Sequence, residues 1–264
     1  MSSTTSDQSP SCGKILMLHG RRAASLTLVL GHGQSGQFFQ CKTRFMRQYM
    51  EQTVLRTLQQ DHTRQISSIE FYYPSGQMRA DPDSWNDDAR AWGHGDPKTG
   101  HIQGLEKSIE YISDILERHG PFIGIMGFST GASLAAVVTS LLETRRSICN
   151  FNITRDHPPM EFAICLSGFQ LEHPDYAPIY HPKIKTPILH VIGSLDPMID
   201  PSRSLRLAKN CLNAEIYQFW GTHYVPRTRE FLKVVGQFVE GILIGSDEED
   251  DWEYYDDKLD ALEY

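Results

Sequence analysis

An α/β fold with a mainly parallel, twisted sheet and helices on both faces is what the sequence predicts. Short apolar runs recur along the chain, several of them apolar throughout rather than alternating, as in strands covered on both sides. Stretches of helical spacing separate these runs, and strands alternating with helices favour parallel pairing. With 264 residues, 40% of them hydrophobic and 22% charged, the chain suits one large domain with a sizeable core. Global disorder is excluded.

The runs expected as strands are KILMLHG (14–20), LTLVLGHG (26–33), SIEFYYP (68–74), FIGIMGF (122–128), FAICLSGF (162–169), PILHVIG (187–193) and AEIYQFW (214–220). Helices are expected over 45–61, 104–120, 132–146, 202–211 and 229–243. In 104–120, Leu105, Ile109, Ile112 and Leu116 share one helical face and Gly120 supplies a stop. The expected organisation is a disordered N-terminus (1–13), one domain (14–245) and an acidic disordered tail (246–264). Residues 75–103 are too polar and too rich in Gly and Pro for core, so they read as a lid or substrate loop. Trp85 and Trp92 argue against full disorder there.

Charge and cysteine usage narrow the function classes. The formal charge is −8, but residues 246–264 alone carry ten acids and one lysine, which leaves the rest of the chain at +1. That near-neutral body offers no basic face for nucleic acid. No apolar run reaches the roughly 18 residues of a membrane helix, and the polar first residues lack a secretory h-region. The five cysteines are scattered and never in C-x-x-C, against a disulfide framework or zinc site. A cytoplasmic protein is the expectation.

Gly127-Phe128-Ser129-Thr130-Gly131 is the most informative stretch. About 0.1 G-x-S-x-G matches are expected by chance in this length, so the motif alone is weak. Its context is stronger, with FIGIM before it reading as a strand and ASLAAVVTSLL after it as a helix. A nucleophile elbow needs that strand–turn–helix setting, which lifts the serine hydroxyl above the sheet. The helix that follows aims its N-terminal amides at developing negative charge.

A serine hydroxyl needs a base, and the base needs an orienting acid. In α/β-hydrolases the order is Ser, then Asp or Glu, then His. Asp196 lies just past the strand PILHVIG, with Asp200 as its competitor. His223 follows AEIYQFW and precedes the last helix. His157 and His181 each precede proline, His173 lies in a loop before Pro174, and His190 sits inside a strand as a packed core residue. The candidate triad is Ser129, Asp196 and His223. Oxyanion amides are expected from Thr130 and from an early loop, either His19-Gly20 or His32-Gly33-Gln34. No metal-ligand spacing accompanies these histidines, and neither metal nor cofactor is expected.

These residues resemble the fungal serine hydrolase family of α/β-hydrolases. The resemblance rests on Arg90-Ala91-Trp92, Gly120-Pro121-Phe122, GFSTGA (127–132), SGF (167–169), Gly193-Ser194-Leu195-Asp196 and Gly221-Thr222-His223-Tyr224-Val225-Pro226, in order over roughly 14–243. It implies the same triad, and the family includes carboxylesterases and the stand-alone thioesterases of polyketide gene clusters. Three departures stand out. Residues 21–31 interrupt the pattern L-H-G-x-x-Q-S-G, either as a genuine insertion or as an unremoved intron. Thr130 replaces the usual Gln, and Gly93 stands where a second tryptophan is common, which widens the acyl site.

The function expected is hydrolysis of an acyl ester or thioester, and on resemblance the release of a polyketide chain. Amides of Thr130 and of His32 and Gly33 would form the oxyanion hole, and Trp85, Trp92 and Phe169 the acyl pocket. The substrate would be small or carrier-bound, with a polyketide synthase as partner and no nucleic acid or membrane. The alternatives are a general carboxylesterase and a non-catalytic binding protein of the same fold.

Overall fold

The computed structural model describes residues 11–20, 35–60, 66–81, 89–144, 151–154 and 156–244. Its centre is a six-stranded sheet of β1 (Ser11–Leu18), β2 (Ile66–Tyr72), β7 (Gly124–Phe128), β8 (Phe162–Leu166), β9 (Ile188–Gly193) and β10 (Ala214–Phe219). The spatial order is β10-β9-β8-β7-β1-β2 and every pairing is parallel. Two short antiparallel ribbons lie outside it, β3 (Met78–Arg79) with β4 (Arg90–Ala91) and β5 (His94–Gly95) with β6 (Ile102–Gln103).

Helices cover both faces. On one side α4 (Leu105–His119), α5 (Thr130–Thr144) and α6 (Pro201–Lys209) contribute Ile109, Ile112, Ala135, Val138 and Leu207 to a core. On the other, α1 (Gly36–Lys42), α2 (Arg44–Tyr49) and α7 (Arg229–Ile244) supply Phe39, Met46, Val235 and Phe238. The strands feed both cores in alternation. In β1, Leu16 and Leu18 join the first and Ile15 and Met17 the second, which is why that run is apolar throughout. Truncating such a residue to alanine costs about 2–5 kcal/mol.

Three expectations are corrected. β1 begins at Ser11, so residues 11–13 are sheet, not disordered terminus. They pair with β2, which also starts two residues early, at Ile66. The helical stretch expected from residue 45 begins at Gly36, because the Ser35 hydroxyl accepts the Phe38 amide and caps α1. It then runs through a π-helical segment (Met50–Val54) into α3 (Leu55–Gln60). Residues 75–103 are not all outside the core, since Ala80, Ala91 and Trp92 are buried. Trp92 can sit inside because its indole N–H finds a carbonyl there. The run 26–33, expected as a strand, lies outside the described residues.

Candidate active site

Ser129 is the single residue between β7 and α5, and its φ of 55° lies in the left-handed region. A non-glycine residue there costs on the order of 1–3 kcal/mol, a strain that clusters at functional sites. The flanking glycines make the corner possible. A Cβ on Gly127 would come within 2.2 Å of the Gly131 carbonyl oxygen, and one on Gly131 within 2.3 and 2.4 Å of the oxygens of Leu18 and His19. Backbone bonds hold the corner, with the Ser129 amide donating to Leu166 O (2.8 Å) and Ser129 O accepting from Ala132 and Ser133. Thr130 is the first residue of α5, so its N–H has no acceptor within the helix.

The imidazole and the acid come together at the ends of β10 and β9. His223 Nδ1 lies 2.7 Å from Asp196 Oδ2. The other carboxylate oxygen accepts the amides of Met198 and Ile199, both at 2.9 Å. A carboxylate can only accept, so Nδ1 donates and Nε2 is left with its lone pair. The imidazole packs against the ring of Phe128, the residue before Ser129, with centroids 4.7 Å apart. Asp200 has another task. Its Oδ1 accepts the Ser202 amide and caps α6, and those bonds hold its carboxyl below the usual range.

Three of the other histidines have structural places. His157 Nε2 accepts the Phe122 amide at 2.7 Å, and burial lowers its pKa. His173 caps the 3-10 turn Pro174–Ile179. His190 is enclosed in β9, where burial depresses its pKa to about 3. Among the described residues, no three His, Cys, Asp or Glu side chains are grouped to hold a metal ion.

A cavity of about 400 Å³ adjoins the elbow, its lining including Trp92, Gly93, Thr130, Leu134, Phe169 and Arg203. Two of the three pocket residues expected from sequence, Trp92 and Phe169, are thus in one wall system with Thr130. Trp85, and the expected oxyanion residues His32 and Gly33, lie outside the described residues. The Thr130 hydroxyl is buried and has no hydrogen-bond partner among the described residues. Arg203 stacks on the Phe169 ring at 4.5 Å and contacts Glu172 at 3.3 Å.

His19 is the residue whose part the sequence did not reveal. It is fully enclosed, its Nε2 accepts the Gly76 amide (2.9 Å), and its Nδ1 donates to Gly20 O (2.8 Å). Burial lowers its pKa to about 4. Its own carbonyl accepts the Trp92 indole N–H at 2.7 Å, and the two rings lie 5.0 Å apart. The neutral imidazole therefore ties the loop after β2 and a pocket wall to the end of β1. Its position at a strand end was the available signal, but that pattern equally fits an oxyanion loop.

A strained serine between strand and helix, with an acid–imidazole pair just past later strands of a parallel sheet, defines an α/β-hydrolase. Residues 8–235 match the model of the family described as serine hydrolase (FSH1), and the chain belongs to that family. It is a serine hydrolase. Family of serine hydrolases 2 of Saccharomyces cerevisiae is 30% identical over 232 residues, covering 86% of this chain and 97% of the yeast protein. Esterase OVCA2 of Xenopus tropicalis is 32% identical over 172 residues, 62% of this chain and 71% of its own. Among solved structures, Zea mays acyl-protein thioesterase 2 superposes with a TM-score of 0.55 at 16% identity, over 89% of this chain and 96% of that one. That likeness speaks for the fold. No helix among the described residues is long and apolar enough to cross a membrane.

Proposed function

We propose that the chain hydrolyses an acyl ester or thioester through Ser129, His223 and Asp196. The observation that carries this reading is the 2.7 Å contact of His223 with Asp196, with the imidazole packed beside the strained Ser129 corner. Ser129 Oγ attacks the acyl carbon as His223 Nε2 takes its proton. The bond to the alcohol or thiol then breaks, and the leaving group receives that proton. Water repeats the sequence on the acyl-enzyme and releases the acid, with Asp196 holding the imidazole in its Nδ1–H tautomer throughout. The Thr130 amide, at the positive end of α5, stabilises the oxyanion, with a second amide from the His32–Gln34 loop.

Within this class the reading extends to release of an oxygenated, polyketide-type acyl chain from a carrier in the cytoplasm, as the family resemblance implies. The cavity beside Thr130 supports it. Trp92, Leu134 and Phe169 suit the hydrocarbon, while Asp96, Glu172, Arg203 and the unpartnered Thr130 hydroxyl suit oxygen substituents along it. A plain fatty chain would leave the Thr130 hydroxyl unpaired.

Ser129→Ala should remove turnover of short p-nitrophenyl esters and labelling by a fluorophosphonate while the melting temperature is retained. Turnover that survives the substitution takes Ser129 out of the mechanism. A panel of acyl thioesters tests the finer reading. Faster release of hydroxylated or keto chains than of saturated chains of equal length supports it, and the reverse order rejects it.

A further inference from the structure

The six-stranded sheet ends in two unlike edges. At one end, β2 offers Ser67, Ser68 and Glu70 at its less buried positions, and Ser67 O accepts the Gln59 side chain of α3. At the other end, β10 pairs with β9 on one side, and no described strand pairs with its outer side. Strands of a parallel sheet are normally covered on both faces, as β9 is, being buried from Ile188 to Gly193. No residue of β10 is buried. Phe45 apart, every large apolar side chain exposed among the described residues falls between 195 and 224, with Leu212, Ile216 and Trp220 at 59%, 37% and 83%. An exposed apolar stripe on a free strand edge marks a surface that another chain covers.

The edge lacks the devices that keep strands of separate molecules apart. Residues 212–220 read LNAEIYQFW, without Lys, Arg, Pro or Gly. The register with β9 runs unbroken from Ala214 to Phe219, so no bulge turns the edge away. Alternation divides the side chains between two faces. Ala214 leans on the core built with α4 and α5, and Tyr217 and Phe219 on the core built with α1 and α7, so Ile216 shares the face of Ala214. Leu212 and Trp220 lie four residues to either side of Ile216. Antiparallel pairing of β10 with its own copy, about a two-fold axis at Ile216, therefore sets Ile216 against Ile216 and Trp220 beside Leu212. The same register opposes the one charged residue, Glu215, to Tyr217 rather than to itself, so no like charges meet. A slip of one residue would turn one copy's stripe to the other face. Leu212, Ile216 and Trp220 together expose on the order of 400 Å² on each copy, half of the roughly 800 Å² that each side of a stable interface contributes, with the strand backbone and its polar side chains still to add. The tail 246–264 carries ten acids and finds no Lys or Arg within 212–220 to draw it to this edge.

We infer that β10 is the docking edge for a second copy of this chain, the two six-stranded sheets joining edge to edge across a two-fold axis at Ile216. Such an interface is self-complementary and closes at the dimer. Sedimentation velocity on the full chain, over about 1 to 100 μM, should show a species of twice the 30.0 kDa chain mass. Ile216→Lys brings two like charges together on the axis, and Trp220→Glu sets an acid beside Leu212. Each should move the midpoint of dimerisation at least about tenfold to higher concentration, whereas Phe45→Lys, on α2, should leave it in place. Circular dichroism and the melting temperature check that each variant is folded. Ile216→Cys gives a reading that needs no weakened interface. Mild oxidation should link two copies through residue 216, beyond any linkage of the unsubstituted protein, because directly opposed Cβ atoms lie about 4.5–5.5 Å apart. Gln218→Cys, opposed to Ala214, should not link. A monomer at about 100 μM, a dimer unmoved by both Ile216→Lys and Trp220→Glu, or linkage at 218 in place of 216 overturns the inference. So does a monomer that pairs only after residues 246–264 are removed, since the tail would then be the occupant of the edge.

Discussion

Lowering the pH from 7.5 to 5 should destabilise the protein through two enclosed imidazoles. His19 and His190 have pKa values lowered by burial from 6.5 to about 4 and about 3. The neutral form is also built into the hydrogen bonding at His19, whose Nε2 must accept the Gly76 amide. Both pKa values lie below that of the unfolded chain, so between 6.5 and 4 the unfolded state binds more protons than the folded one. Stability is therefore complete above pH 6.5 and is lost as the pH falls toward the folded values. At pH 5 each residue forfeits about 2 kcal/mol, and the pair about 4 kcal/mol, a large part of a typical domain's 5–15 kcal/mol. Urea unfolding at pH 7.5 and pH 5 reads the loss as a lower midpoint at unchanged slope. His190→Leu, which removes an imidazole whose Nε2 has no partner, should cut the pH-dependent loss by about half. A midpoint insensitive to pH, or an identical loss in His190→Leu, would refute the reasoning.

Other outcomes follow from single contacts. Asp196→Asn keeps an acceptor for Met198 and Ile199 but turns an amide toward His223 Nδ1, favouring the wrong tautomer. Ester kcat should fall about 10³–10⁴-fold with little change in melting temperature, and a loss under tenfold would remove Asp196 from the mechanism. Gly93→Ala places a Cβ 2.3 Å from Ile102 Cγ2 in the wall of the cavity beside Thr130. The ratio of kcat/KM for p-nitrophenyl octanoate to that for the acetate should drop several-fold, and an unchanged ratio would place the acyl chain elsewhere. Trp92→Phe removes the donor to the buried His19 carbonyl and should cost about 1–3 kcal/mol in urea unfolding.

The parallel sheet was legible because its strands β7, β8 and β9 have no solvent face. Ile125, Met126, Ile164 and Leu189 had to be apolar whichever way they point. Ser129 was legible for a related reason, since Gly127 and Gly131 are demanded by backbone contacts that no Cβ survives. The choice between Asp196 and Asp200 rested on position alone, and hydrogen bonding separates them: one holds His223 and the other caps α6. What stayed illegible depends on contacts distant in sequence. Trp92 is buried in a polar segment because a carbonyl 73 residues away accepts its indole N–H. His19 is fixed by Gly76 across 57 residues. The start of α1 was hidden by Ser35, which reads as part of a Q-S-G loop until its hydroxyl is seen to cap the helix.

The elbow's place in the sheet explains how the serine is held. β7 is an interior strand, flanked by β1 and β8, so its C-terminal end is open to both helical layers. The chain turns sharply there and again at the end of β8, where Ser167 also has positive φ (48°) and donates its amide to Val191. Two adjacent strands thus end in strained corners, each fixed by a backbone bond to the neighbouring strand. Such corners persist only if the surroundings overdetermine them, and α5, buried from Gly131 to Leu142, supplies that constraint. Its rigidity holds the Thr130 amide still on one side of the serine. The imidazole comes from the loop after β10 and packs on Phe128, a residue of the core built with α1 and α7.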